Sequence, residues 1–142
     1  MDKEIQVVAF TIGSEEYGVD ILTVQEIIKV LTITKVPRAG NYIEGVINLR
    51  GNVIPVFNLH KRFGVMPSED EEEARIVVFK FEDAKAGIIV DEVSEVLRIK
   101  GNEIEETAKV YQGLEAEFIQ GVGKVEDRLL MLLNVRKLLS ID

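Results

Sequence analysis

The chain has 142 residues with 17 basic and 25 acidic side chains, a formal charge of −8, and no cysteine. That charge disfavours a large nucleic-acid or anionic-membrane footprint, and the missing thiols exclude a disulfide framework, thiolate metal sites and cysteine nucleophiles. A hydrophobic content of 46%, at a length able to bury roughly two thirds of its unfolded surface, fits one domain or two small lobes sharing a core.

The opening MDKEIQVV is acidic and lacks the basic-then-apolar order of a signal peptide. No uncharged apolar run approaches the roughly 20 residues needed to span a bilayer, so a cytoplasmic protein without direct membrane insertion is expected. Residues 5–12, IQVVAFTI, read as a strand ended by Gly13, and Tyr17 to Val19 read as a second short strand. In DILTVQEIIKVL, the residues Ile21, Val24, Ile27, Ile28 and Leu31 recur at helical spacing behind Asp20, a candidate cap. The expectation is two to three turns of helix, with β-branched Ile27, Ile28 and Val30 pulling its end toward strand. TITKVPRAGNY, with Pro37 and Gly40, is expected to be a short strand opening into a loop.

Residues 45–63, GVINLRGNVIPVFNLHKRF, form an apolar strand, a turn at Arg50-Gly51-Asn52, a second apolar strand and a brief amphipathic turn. Pro55 cannot donate a ladder hydrogen bond, so its strand is an edge, is bulged, or turns that position away from its neighbour. PSEDEEEA at 67–74 is a charged, solvated linker and the best lobe boundary. The chain then repeats. Residues 118–139 match 42–63 at an offset of 76, with identities at Gly45/Gly121, Val46/Val122, Asn58/Asn134 and Lys61/Lys137. Residues 77–81 and 93–97 match 8–12 and 24–28 at an offset of 69, which places about seven extra residues within the polar segment 98–117. Two copies of strand, strand, short helix and hairpin imply a mainly β, mostly antiparallel protein curled into two small barrels. The approximate lobes are 14–68, and 1–13 with 74–135, within one domain over 1–142, with 136–142 as a closing helical turn. Each lobe is too small for an ample core, so their junction should be apolar.

Catalytic and metal chemistry is missing from the pattern. His60 is the sole histidine, flanked by Lys61 and Arg62, and is expected at a surface or an interface rather than on zinc. Gly121-Val122-Gly123-Lys124 lacks the spacing of a phosphate loop and corresponds to hairpin residues 45–48. Glu71–Glu73 and Glu103, Glu105 and Glu106 read as solvated faces, and the serines sit in no nucleophile elbow. An enzyme is not expected, and no cofactor is called for. What remains is Arg50 at a hairpin tip where the second copy has Glu126. A turn arginine paired with a carboxylate is the plain explanation; a partner-binding arginine is the functional one.

EEYGVDILTVQEI at 15–27, YIEGVINLRGNVIPVFNL at 42–59, GIIVDEVSEVL at 87–97 and FIQGVGKVEDRLLMLLNVRKLL at 118–139 together resemble the CheW-like chemotaxis coupling family, colinearly over essentially the whole chain. The resemblance implies two five-stranded SH3-like barrels packed together with short helices, in an adaptor without catalytic activity. It implies three kinds of partner: the regulatory domain of the histidine kinase CheA, the cytoplasmic tip of methyl-accepting chemoreceptors, and other coupling-protein copies within membrane-associated arrays. Carried over by position, Ile21, Val24 and Ile27 match the apolar kinase contact, while Glu26 and Arg50 match coupling positions. Val36, Ile43, Val46 and Asn48 would wall the inter-barrel groove that takes the receptor. The rival readings are an interaction module of another two-component array, and an enzyme using the inter-lobe groove.

Overall fold

The computed structural model describes residues 3–38, 40, 42–105 and 118–139. Its strands are β1 (Glu4–Ile12), β2 (Glu15–Asp20), β3 (Val24–Lys29), β4 (Ile43–Leu49), β5 (Asn52–Phe57), β6 (Arg75–Phe81), β7 (Ala84–Val90), β8 (Glu92–Lys100), β9 (Ile104–Glu105), β10 (Ile119–Val125) and β11 (Arg128–Leu133). Two short helices, α1 (Leu59–Phe63) and α2 (Val135–Leu138), follow the two hairpins. The strands form two mixed sheets, ordered β3-β6-β7-β5-β4 and β8-β1-β2-β11-β10-β9.

The repeat is visible in the register. In β4–β5, Ile43 pairs with Phe57 and Gly45 with Val56 across a bulge; in β10–β11, Ile119 pairs with Leu133 and Gly121 with Leu132 across a bulge. Asn58 and Asn134 cap α1 and α2 identically, each side chain accepting from the backbone N–H three residues on at 3.1 Å. Arg50 and Glu126, at the two turns, both adopt left-handed backbone, with φ of 52° and 56°.

The two copies exchange strands. The first copy's hairpin β4–β5 pairs in parallel with β7 of the second copy, Val56 beside Gly87, and β11 of the second pairs with β2 of the first, Leu132 beside Gly18. Likewise β3 lies on β6 and β8 on β1. Sheet membership cuts across the expected lobes. β2 falls inside 14–68 but belongs to the six-stranded sheet, whereas β6 and β7 fall inside 74–135 but belong to the five-stranded one. Offsets between copies reveal which strands are equivalent, but equivalence does not say which copy a strand pairs with.

The exchange explains why IQVVAFTI and IVVFKF are almost continuously apolar: both faces of β1 and of β6 are covered. Val8, Phe10 and Ile12 enter a central core with Val77, Phe79, Ile88 and the helix residues Leu59 and Leu138. Val7 and Ala9, on the other face of β1, pack with Ile99, Leu130 and Leu132. Ile76 and Val78 of β6 pack with Ile47, Ile54 and Val56. The junction between sheets is apolar, and Arg62 adds a cationic clasp, its guanidinium 4.7 Å from the ring of Tyr42 and 4.3 Å from that of its repeat partner Phe118.

Two local expectations differ from the structure. The helix expected from Asp20 onward is one 3-10 turn, Ile21–Thr23, after which the chain becomes β3. Asp20 does cap it, accepting from Leu22 N–H at 2.9 Å. Strand wins beyond Thr23 because β6 offers a free ladder, and because Val24, Ile27 and Ile28 are stiff side chains suited to a pleated surface. The segment 31–38 contributes a single bridge, Thr34 to Val46, in place of a strand. The polar excursion assigned to 98–117 begins with the end of β8 and with β9; 106–117 and 140–142 lie outside the described residues.

Candidate functional site: an ion pair at the hairpin tip

The β4–β5 turn carries Arg50 and Gly51 with φ of 52° and 87°. Asn48 stabilises this reversal by accepting from Gly51 N–H at 3.0 Å. The turn projects Arg50 back toward β3, at the opposite end of the strand order, where it meets Glu26 in a bidentate pair: Nη1 donates to Oε2 at 2.7 Å and Nη2 to Oε1 at 2.8 Å. The arginine side chain remains 67% exposed and the glutamate 22%. The hydrogen-bonding guanidinium holds the Glu26 carboxyl below its ordinary value, with Lys85 adding to the pull. Both explanations of Arg50 thus meet in one geometry: it is paired with a carboxylate, and it is still open to a partner.

The second copy builds a different version. Glu126 replaces Arg50, and the cation is displaced to Arg128, which donates to Glu16 at 3.0 Å and to Glu95 at 2.9 Å. Glu95 is the repeat partner of Glu26 and Glu16 that of Lys85.

Of the expected kinase contacts, Ile21 and Val24 are half-buried and pack on the central core, whereas Ile27 points outward at 38% exposure. Val36 is exposed, Ile43 packs against the central core, and Val46 is half-buried under the bridge to Thr34. Asn48 is exposed beside Val53 on the outer face of the hairpin.

His60 departs from expectation. It is buried, with Nε2 donating to Asp91 Oδ2 at 2.8 Å. Asp91 also accepts from Gly13 N–H at 2.6 Å and Ser68 N–H at 3.0 Å, so one carboxylate ties α1, the β1–β2 turn and the linker together. Burial pushes the Asp91 carboxyl up, but these three donors outweigh it and leave the group below its ordinary value. The partner lies 31 residues away, so the basic flanks of His60 carried no sign of it. The pair borders a cavity of about 770 Å³ whose wall includes Val30, Met66 and Ile89. Among the described residues no group of three or more His, Asp or Glu side chains could hold a metal ion, and no helix is long and apolar enough to cross a membrane. Lys85 lies in no motif, and only the offset of 69 sets it against Glu16.

A duplicated pair of interlocked β-sheets bearing an exposed ion pair defines an interaction scaffold. The profile of the CheW-like domain matches residues 6–142, and the chain belongs to that family of non-catalytic chemotaxis adaptors. It is similar to the chemotaxis protein CheW of Treponema pallidum, 38% identical over 98% of this chain and 84% of that protein, and to CheW of Thermotoga maritima, 35% identical over 97% and 89%. The crystal structure of the scaffolding protein TtCheW from Thermoanaerobacter tengcongensis superposes with a TM-score of 0.88 at 36% identity, covering 99% of this chain and 90% of that one.

Proposed function

We propose that this chain couples methyl-accepting chemoreceptors to the histidine kinase CheA, holding both in a membrane-associated array while itself remaining cytoplasmic. The observation that carries the reading is the Arg50–Glu26 pair. Two residues 24 positions apart, each matching a coupling position, are joined at one exposed tip. Each sheet, with its own enclosed apolar cluster, is read as one of the SH3-like barrels. Ile27 would contact the kinase regulatory domain, with Ile21 and Val24 supporting it from the core. Val36, Ile43, Val46 and Asn48 would face the receptor tip, and copies of the chain would also meet within the array. Titration calorimetry against the isolated CheA regulatory domain and against a receptor-tip fragment tests this. Binding to both supports the reading; binding to neither assigns the chain to another two-component assembly.

A further inference from the structure

Gly13, Arg50, Glu82 and Glu126 each open a two-residue hairpin turn in left-handed backbone, with φ of 68°, 52°, 53° and 56°. Glycine enters that region freely, whereas arginine does so against a steric penalty. Among the described residues, side chains brace only the turns at Gly13 and at Arg50. Asp91 accepts from Gly13 N–H at 2.6 Å, as part of the buried clasp with His60, and Asn48 accepts from Gly51 N–H at 3.0 Å. Asn48 is exposed, and its bond spans only the tip that carries Arg50. The Arg50 side chain is 67% exposed, so holding it in an ion pair works against its rotamer entropy. Its two bonds to Glu26, at 2.7 and 2.8 Å, also require the planar fork to arrive correctly aimed. A braced tip supplies that aim from the backbone; an unbraced one is free to leave the left-handed conformation. The second copy supplies the comparison. There Lys124 stands in place of Asn48 and Glu126 in place of Arg50, and Lys124 reaches across to Glu105 at 3.3 Å instead of into its turn. The copy without the arginine is also without the brace.

We infer that Asn48 is a positioning residue for the coupling pair: by closing the hairpin tip onto Gly51 N–H it aims Arg50 at Glu26, and its part in coupling passes through that arginine. The role in coupling rests on the function proposed above; the aiming of Arg50 does not. The Asn48 side-chain amide Nδ2 donates to nothing among the described residues, so a direct contact between that donor and a partner is the competing role.

Wild type, Asn48→Ala, Asn48→Asp and Arg50→Ala are compared as free chains by NMR, which reads the order of the Arg50 Nε–H bond and the titration of the Glu26 carboxyl. The hydrogen-bonding Arg50 is the main reason that carboxyl lies below its ordinary 4.5, and Lys85 adds a smaller pull. Arg50→Ala therefore defines the unpaired value. Asn48→Ala should loosen Arg50 and move Glu26 most of the way up to that value. Asn48→Asp keeps the acceptor but loses the Nδ2 donor, and should leave Arg50 ordered and Glu26 low. In a reconstituted array, Asn48→Ala should cut receptor-dependent kinase activation about fivefold or more, while Asn48→Asp retains it. An ordered Arg50 and an unmoved Glu26 in Asn48→Ala would overturn the inference, as would an equal rise of Glu26 in both Asn48 variants. Loss of activation in Asn48→Asp with the ion pair intact would make Asn48 a direct contact and overturn it too. The expected NMR pattern with no activation even by wild type would sustain the aiming of Arg50 and overturn the coupling function.

Discussion

Gly45 and Thr34 approach so closely that a methyl group on Gly45 would lie 2.3 Å from the Thr34 carbonyl oxygen. The approach follows from the bridge between Thr34 and Val46, whose two backbone hydrogen bonds of 2.8 and 2.9 Å lay the preceding segment across the hairpin. At the repeat position, a methyl on Gly121 would meet the Ile104 side chain at 2.8 Å and the Glu105 carbonyl at 3.1 Å. A side chain can rotate away, but a bonded backbone cannot. Gly45→Ala should therefore cost roughly 3 kcal/mol and Gly121→Ala roughly 1 kcal/mol, as measured by urea unfolding. Equal costs would mean that the bridge yields.

Asp91 is expected to set the acid limit of stability. Its carboxyl lies below the ordinary 3.8 in the folded protein, so its contribution is complete above that value and is lost as pH falls through the lower, folded one. Asp91→Ala strands His60 and two backbone donors and should cost about 3 kcal/mol or more at neutral pH. The difference in unfolding free energy between wild type and Asp91→Ala should shrink as pH falls below about 5. A difference independent of pH down to acid unfolding would rule the carboxylate out as its source.

Arg50→Glu places a second carboxylate against Glu26 at an exposed site, where charge changes move stability little. Its melting temperature should stay close to that of wild type, while receptor-dependent kinase activation in a reconstituted array is abolished. The exchanged double variant Glu26→Arg with Arg50→Glu should rebuild the pair without recovering activation. Full activation with Arg50→Glu, observed as the kinase phosphorylation rate, would remove Arg50 from coupling.

Among the three apolar residues assigned to the kinase, Ile27 is the clean test. Ile21 and Val24 pack on the central core, so a charge there disturbs folding as well as binding. Ile27→Glu should preserve melting and weaken binding to the CheA regulatory domain by about 2 kcal/mol or more. Unchanged calorimetric affinity would take β3 out of that interface.

Features that depend on neighbours along the chain could be read directly. Gly45 and Gly121 mark hairpins, Asn58 and Asn134 cap the helical turns, and Asp20 caps the turn after β2, because each acts within a few residues. The resemblance likewise picked out Glu26 and Arg50 singly, by the motifs around them. Their union was not written in either motif, since it needs the sheet to bring its first strand to the far hairpin. Long-range pairing decided the rest. β3 is a strand because β6 lies beside it, although its apolar spacing suits a helix equally well. His60 is buried because Asp91 arrives with the second copy, and Arg128 reaches Glu16 across 112 residues. The exchange of strands has the same origin. Matched apolar faces make either copy an acceptable neighbour, and only the packing of both sheets around one central core selects the interlocked arrangement.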